Sequence, residues 1–245
     1  MMILPIKNRE NFIKNFLNPI SKLTTMCTLD VENNISTIVH NNSNIFLKAE
    51  YNVTWDDHPE DTSLCLPDAI KLIKILSCLE EEEIILKIDE NRIEYCNGKG
   101  NRFKYHLFDN SLSNKSPFDF NKINEIEKWS KFPLTRNSNG AILKALPFVT
   151  ETSKLYLTNE DDNVFAELSD KKLQNVDSYT TKISEEFEGE AINNELILDI
   201  ELFRLISTLN FDTADVYINN DFKLVKIKIL IDECNLTFVS TSYKN

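Results

Sequence analysis

The second half of the chain repeats the first. "NFIKNF" (residues 11–16) aligns with "AILKAL" (141–146), which sets Lys14 opposite Lys144. "SKL" occurs at 21–23 and again at 153–155. "AIKLIKIL" (69–76) aligns with "LFRLISTL" (202–209), which sets Lys71 opposite Arg204. The matches keep their order at a nearly constant offset, as a duplicated structural unit does. A chain built this way folds as two similar units, each burying its own core, and 245 residues suffice for two.

Each half reads as two amphipathic helices and roughly eight strands. In "RENFIKNFLN" (9–18), Phe12, Ile13, Phe16 and Leu17 share one side of a helix, and Asn11, Lys14 and Asn18 the other. Asn8 is placed to cap it and Pro19 to stop it. The segments "KLTTMCTLDV", "ISTIVHN" and "NIFLKAEYNV" read as strands divided by Asn-rich turns. Residues 67–79 form the second helix. Pro67 suits its first turn, and Leu72, Ile75, Leu76 and Leu79 form its buried stripe. Lys71, Lys74 and Cys78 line its other side, and Glu80–Glu83 follow at the turn into "IILKIDE". Helices at 138–146 and 199–209 answer these two. In the last, Leu202, Phe203, Leu205, Ile206 and Leu209 face inward while Arg204, Ser207 and Thr208 face outward. Both halves close on a strand–turn–strand series.

Residues 109–135 break the pattern. They carry Pro117, Pro133 and spaced apolar residues Phe118, Phe120, Ile123, Ile126 and Trp129, and read as a connector lying on the surface. The expected division is residues 1–110, a connector at 111–135, and residues 136–245.

Catalytic signatures are scarce. The four glycines include "GKGNRF", which lacks the third glycine of a dinucleotide fingerprint, and no GxxxxGK[ST] loop occurs. His40, His58 and His106 are far apart, without HExxH, and no GxSxG elbow is present. Asp56–Asp57 and Asp161–Asp162 read as solvated turn acids. Cys27, Cys65, Cys78, Cys96 and Cys234 form no CxxC pair, which favours reduced, structural thiols over a disulfide framework or a zinc site. No apolar run approaches ~18 residues, and the opening "MMILPIKNRENF" is too short an apolar run for a signal peptide. The expectation is an intracellular protein with no catalytic residue, metal or cofactor.

Charge points elsewhere. The chain carries a formal net charge of −12, so on average it repels nucleic acid and anionic membrane. The four helices run against that average: they hold Arg9, Lys14, Lys71, Lys74, Lys144 and Arg204 against Glu10, Asp68, Asp199 and Glu201. Three of these acids lie in or at a first turn, where the helix dipole favours them. Beyond the first turn the polar faces are basic or neutral.

With these residues in view, the whole chain resembles a DNA polymerase sliding clamp, in the two-domain form of the proliferating cell nuclear antigen and the T-even-type phage clamps. "SNGAILKALPFVTETSKLYLTNEDDNVFAELSDKKLQNVDSYTTKIS" is similar to the opening of the second clamp domain, and "NELILDIELFRLISTLNFDTADVYINNDFKLVKIKILI" to its close. The resemblance covers about residues 5–242; the Glu80–Glu83 run and the connector depart from it, which leaves the branch of the family open. It implies an α+β fold with antiparallel sheets outside and two helices per half lining a central hole. It further implies a homotrimeric ring that encircles double-stranded DNA without reading sequence, and a non-enzymatic processivity factor for a replicative DNA polymerase, opened and closed by a clamp loader ATPase. Arg9, Lys14, Lys71, Lys74, Lys144 and Arg204 would then line the hole. The subunit contact would join Arg102, Phe103, Lys104, Tyr105 and His106 of "RFKYHLF" to Tyr179, Thr180, Thr181 and Lys182 of "SYTTKIS" in the next chain. A partner peptide would meet Phe118, Phe120, Ile123 and Tyr243. The setting implied is a host cytoplasm for a phage protein, or a nucleus for a eukaryotic one. Two alternatives stand beside this reading: a clamp-fold DNA-binding factor that forms no ring, and an unrecognised enzyme.

Overall fold

Among the described residues, eight strands and two long helices occur twice, in the same order. The computed structural model describes residues 2–41, 44–55, 60–112, 116, 118–149, 154–169, 171, 177–193 and 195–243. The first series is β1 (Met2–Ile6), helix α1 (9–23), β2 (Cys27–Val31), β3 (Ile35–His40), β4 (Ile45–Tyr51), β5 (Thr62–Leu66), α2 (Ala69–Ser77), β6 (Ile84–Asp89), β7 (Arg92–Cys96) and β8 (Arg102–His106). A short helix α3 (Phe120–Asn124) precedes the second series. That series is β9 (Ser130–Thr135), α4 (Arg136–Lys144), β10 (Lys154–Glu160), β11 (Asn163–Leu168), β12 (Tyr179–Ser184), β13 (Leu196–Asp199), α5 (Ile200–Ser207), β14 (Thr213–Asn219), β15 (Leu224–Ile231) and β16 (Cys234–Thr241).

The chain divides into two compact units. Unit 1 comprises Met1–Asn41, Phe46–Phe118 and Leu230–Leu236; unit 2 comprises Asn42–Ile45, Asp119–Ile229 and Thr237–Asn245. The first series has strand orders β1-β6-β7-β8 and β5-β2-β3-β4. The second has β9-β14-β15-β16 and β13-β10-β11-β12. Every strand therefore has a counterpart in the same place, and the repeat read from four short strings is a repeat of topology. The pairings with a recorded register are antiparallel.

Strand alternation builds the cores. In β4, Ile45, Leu47, Ala49 and Tyr51 are buried while Phe46, Lys48 and Glu50 lie on the more open face. Phe12 and Phe16 of α1 stack at 5.3 Å, and Phe12 meets Tyr51 edge-on at 4.9 Å. Leu17, Ile20, Leu66 and Leu72 complete the core of unit 1. In unit 2 Leu155, Leu157, Leu198, Leu202, Phe203 and Ile206 play the same part. Each such side chain contributes about 1.5–3 kcal/mol on burial.

Three expectations change. Pro19 does not end α1. Phe12–Leu17 is a π-helical stretch, closed by Asn18 N–H donating to the Ile13 carbonyl, and an α-helical segment Asn18–Leu23 follows. Pro19 falls at the start of that segment, where a missing N–H costs little. Of the segment expected as a surface connector, residues 119–135 group with unit 2, and β9 pairs with β14 in register from Ser130 to Thr135. Pro133 sits within β9 because β9 is the outermost strand of its run, where a ladder donor is not required. Strands β1 and β5 complete the roughly eight expected in the first half, but the sequence reading had not located them. Asp56, Asp57, His58 and Pro117 lie outside the described residues.

Candidate nucleic-acid interface

Side-chain caps fix the start of all four long helices. Asn8 Oδ1 accepts from Asn11 N–H at 2.9 Å, Asp68 Oδ1 from Lys71 N–H at 2.9 Å, Thr135 Oγ1 from Ser138 N–H at 3.1 Å, and Asp199 Oδ1 from Glu201 N–H at 2.9 Å. The acids Asp68 and Asp199 are thereby turned to the helix ends, where the dipole favours them.

The exposed helix surfaces keep the bases. In unit 1 Lys14, Lys71 and Lys74 are exposed, as is Lys22, which the extension of α1 past Pro19 adds. Lys14 Nζ lies 3.1 Å from Glu10 Oε2 one turn earlier, and that pair holds the Glu10 carboxyl below its usual range. Lys71 and Lys74 have no ion pair among the described residues. In unit 2 Arg136, Lys144 and Arg204 are exposed. Arg136 donates to Asn210 Oδ1, and Arg204 pairs with Glu201. Sequence reading missed Lys22 and Arg136 because it ended α1 at residue 18 and began α4 at 138.

Arg9 does not belong with them. It is 9% exposed; its Nε donates to the Glu81 carbonyl at 2.8 Å and its Nη1 to the Leu76 carbonyl at 3.1 Å. Its charge serves the C-terminal end of α2, the site where a cation is stabilising. The assignment of Arg9 to a phosphate-facing surface is therefore corrected.

Each of the two four-stranded sheets ends on one of the strands expected at a subunit contact, β8 in the first and β12 in the second, with β1 and β13 at the far ends. Among the described residues β8 has β7 as its sole neighbour, and β12 has β11. Arg102, Lys104, His106, Tyr179, Thr180 and Lys182 are exposed there, and Phe103 and Thr181 partly so. Tyr105 is buried. Its hydroxyl donates to the Asp68 carbonyl at 2.8 Å and accepts from Asp68 N–H at 3.0 Å, so its side chain anchors the start of α2 and can offer a neighbour nothing but main chain. Burial pushes its phenol up to about 12. The equivalent edge of β4 is covered inside unit 1 by the start of β16: Asn52 N–H donates to the Glu233 carbonyl at 2.8 Å and Asn235 Nδ2 to Glu50 Oε2 at 3.2 Å.

Solved structures with this arrangement span the whole chain. A PCNA from A. fulgidus, bound to the C-terminal region of FEN-1, matches with a TM-score of 0.80 at 13% identity, covering 100% of this chain and 99% of that one. A PCNA2–PCNA3 complex from Sulfolobus tokodaii matches at 0.75 and 12% identity over 98% of this chain and 99% of the other. A PCNA from Entamoeba histolytica matches at 0.75 and 13% identity over 99% and 98%. This chain has the sliding-clamp fold. No protein-family description and no curated protein matches it by sequence.

In this clamp fold the residues expected to form a peptide pocket also make contacts within the chain. Phe120 and Ile123 of α3 are buried in unit 2, at 5% and 7% exposure. Phe118 stacks on Phe46 in unit 1, with ring centroids 4.0 Å apart. Tyr243 donates its hydroxyl to Asp199 Oδ2 at 2.7 Å, and its N–H to the Ile197 carbonyl at 2.9 Å. Burial and then Asp199 push its phenol up to about 12. Phe120 and Ile123 thus leave little side-chain surface for a peptide, whereas Tyr243 stays partly exposed. All five cysteines are free thiols; burial pushes Cys27 and Cys234 up to about 12. No helix of the described residues is long and apolar enough to cross a membrane.

Proposed function

We propose that the protein is a DNA sliding clamp: a homotrimeric ring that encircles duplex DNA and tethers a replicative DNA polymerase by topology, without catalysing a reaction itself. The observation that carries this is the matched pair of open edges. β16 holds in the second series the place that β8 holds in the first, and β12 the place of β4. The start of β16 already covers β4 inside unit 1. An equivalent contact from β12 of one copy to β8 of the next would be head-to-tail, and head-to-tail contacts repeat until they close.

The helix surfaces support the same reading. Duplex DNA carries about one negative charge per 1.7 Å of axis. Lys14, Lys22, Lys71, Lys74, Arg136, Lys144 and Arg204 would meet it with flexible cations that hold no register, which allows sliding. The acidic remainder of the chain would keep DNA off other surfaces. Two clamp-fold chains form a complex in the Sulfolobus tokodaii structure, and a FEN-1 segment binds the A. fulgidus clamp. Recruitment of a polymerase and loading by an ATPase follow by analogy.

Sedimentation at micromolar concentration tests the ring. The expected species has three times the 28.4 kDa chain mass. A stable monomer would replace the ring with a clamp-fold DNA-binding factor that works without encirclement.

A further inference from the structure

One sheet face is covered in unit 2 and bare in unit 1. Strands β9-β14-β15 answer β1-β6-β7. Pro133 stands opposite Asp215 as Pro5 stands opposite Ile85. Two residues along each strand, the row Lys131–Tyr217–Lys226 matches the row Ile3–Lys87–Glu94. In unit 2 the Trp129 ring roofs that row: Lys226 Nζ lies 4.0 Å from its centroid, Tyr217 meets it edge-on at 6.3 Å, and Lys226 is 5% exposed. In unit 1 the row and its neighbours stay open. Ile3 is 53% and Ile85 57% exposed, and Lys87 is exposed beside them. Isoleucines bared on an end strand and its neighbour are what such a position ordinarily avoids. Next to them a cavity of about 570 Å³ is lined by Lys87, Glu94, Cys96, Arg102 and Lys104, among others. Its one acid, Glu94, is already held by Arg92 at 2.7 Å and Lys104 at 3.1 Å. In a chain of net charge −12 this face is therefore basic.

We propose that this face of unit 1 docks an extended acidic peptide carrying one aromatic residue. The ring lies on Ile3, Ile85 and the Lys87 ammonium, as Trp129 lies on its own row in unit 2, and flanking carboxylates meet Arg102 and Lys104 along the cavity. Apolar contact and cation–π attraction supply the anchor, and charge complementarity selects acids over bases beside it. A basic segment would meet Lys87 and Arg102, which have no ion pair among the described residues, and would be repelled. The site lies within unit 1, so it needs neither the ring nor DNA, and its failure would leave the clamp reading untouched.

Fluorescence anisotropy on the full chain tests this, with a fluorescein-labelled peptide of glutamates around one tryptophan as the probe. Two further peptides replace its glutamates by lysines or its tryptophan by glycine. The acidic tryptophan peptide is expected to bind saturably, the lysine peptide not to bind, and the glycine peptide to bind at least about tenfold more weakly. Ile85→Asp, which copies Asp215 of unit 2, and Lys87→Glu should each weaken the tryptophan peptide at least about tenfold. Both side chains are exposed, so both variants should keep the wild-type circular dichroism spectrum. No saturation by about 1 mM peptide overturns the proposal. Binding that survives both substitutions overturns it too, because the peptide then sits elsewhere. If a short DNA duplex displaces the peptide, or Lys87→Glu weakens duplex binding, the face belongs to nucleic acid instead. If Ile85→Asp lowers self-association in sedimentation without peptide, the face is a contact between copies, and the peptide reading falls.

Discussion

Arg9 and Asn139 occupy matching places in the two series, 130 residues apart, and each donates from a buried side chain to a carbonyl of the second long helix of its own unit. Arg9 reaches Leu76 O at 3.1 Å and Asn139 Nδ2 reaches Phe203 O at 3.2 Å. Both fasten the first helix of a unit to the second. Arg9→Ala is therefore expected to lower unfolding stability by about 1–3 kcal/mol, since it strands the buried Leu76 carbonyl and the part-buried Glu81 carbonyl, while DNA affinity in the folded protein is unchanged. Asn139→Ala should cost about 1–2 kcal/mol for its single bond. Urea unfolding monitored by circular dichroism, alongside duplex binding, separates this from a phosphate-contact role, in which affinity would fall and stability would hold.

The exposed bases should behave in the opposite way. Replacing Lys14, Lys71, Lys74, Lys144 or Arg204 by Ala touches no buried group, so each change should leave stability within about 0.5 kcal/mol. Each should reduce the slope of log affinity against log salt by about 0.9 on duplex DNA, with no dependence on base sequence. Lys22→Ala and Arg136→Ala belong to the same set. Binding of a short duplex followed by fluorescence anisotropy at several salt concentrations measures this. An unaltered slope across the whole set would detach these helices from DNA.

Why Arg9 misled the sequence reading and Lys14 did not is visible in the repeat. Lys14 faces Lys144 at the same offset, whereas Arg9 faces uncharged Asn139, and a position that tolerates both is a hydrogen-bonding position, not a charged surface. That signal was present and unused. The core was legible because Phe12, Phe16, Leu72 and Leu76 obey helical spacing and β4 alternates strictly. The connector was not, because Pro133 reads as a breaker unless β9 is known to be an edge strand, and edges are set by long-range pairing. Pro19 misled in the same fashion: local rules stop a helix there, and the preceding π-helical turns absorb the proline instead. Phe118, Phe120 and Ile123 were legible as apolar residues in a connector, but nothing in their spacing tells packing onto the protein itself from a docking site.

Tyr243 offers a direct test of that last distinction. Tyr243→Phe keeps the ring packing and removes the hydroxyl that donates to Asp199 Oδ2. Asp199 is 6% exposed and caps α5, so an unpaired carboxylate oxygen there should lower unfolding stability by about 1–2 kcal/mol. Asp199→Ala removes the cap as well and should cost more. Thermal unfolding of both variants checks the order. If Tyr243→Phe is as stable as the wild type, the hydroxyl is not structural and a binding role returns to consideration.

Lys226 places its ammonium 4.0 Å from the centroid of the Trp129 ring and 4.9 Å from that of Tyr217, and is 5% exposed. Burial and then repulsion by Lys228 pull its pKa down to about 8, although cation–π attraction favours the charged form. Asp215 stands opposite Lys228 across the strand pair, and Lys131, opposite Tyr217, is paired with Glu188 at 2.9 Å, so no carboxylate pairs directly with Lys226 among the described residues. An unfolded chain would hold this proton up to about 10.4. Between those values the unfolded state binds more protons than the native one, so this residue makes stability rise with pH. Raised thiols and phenols, such as Cys27 and Tyr105, act in the other direction at the upper end of the range, and comparison with Lys226→Met cancels them. From pH 7.5 to pH 10 the wild type should gain on Lys226→Met by on the order of 1 kcal/mol, after allowance for solvent screening. Urea midpoints of the two proteins across that range measure it, and a constant difference would mean that Lys226 is as well solvated folded as unfolded.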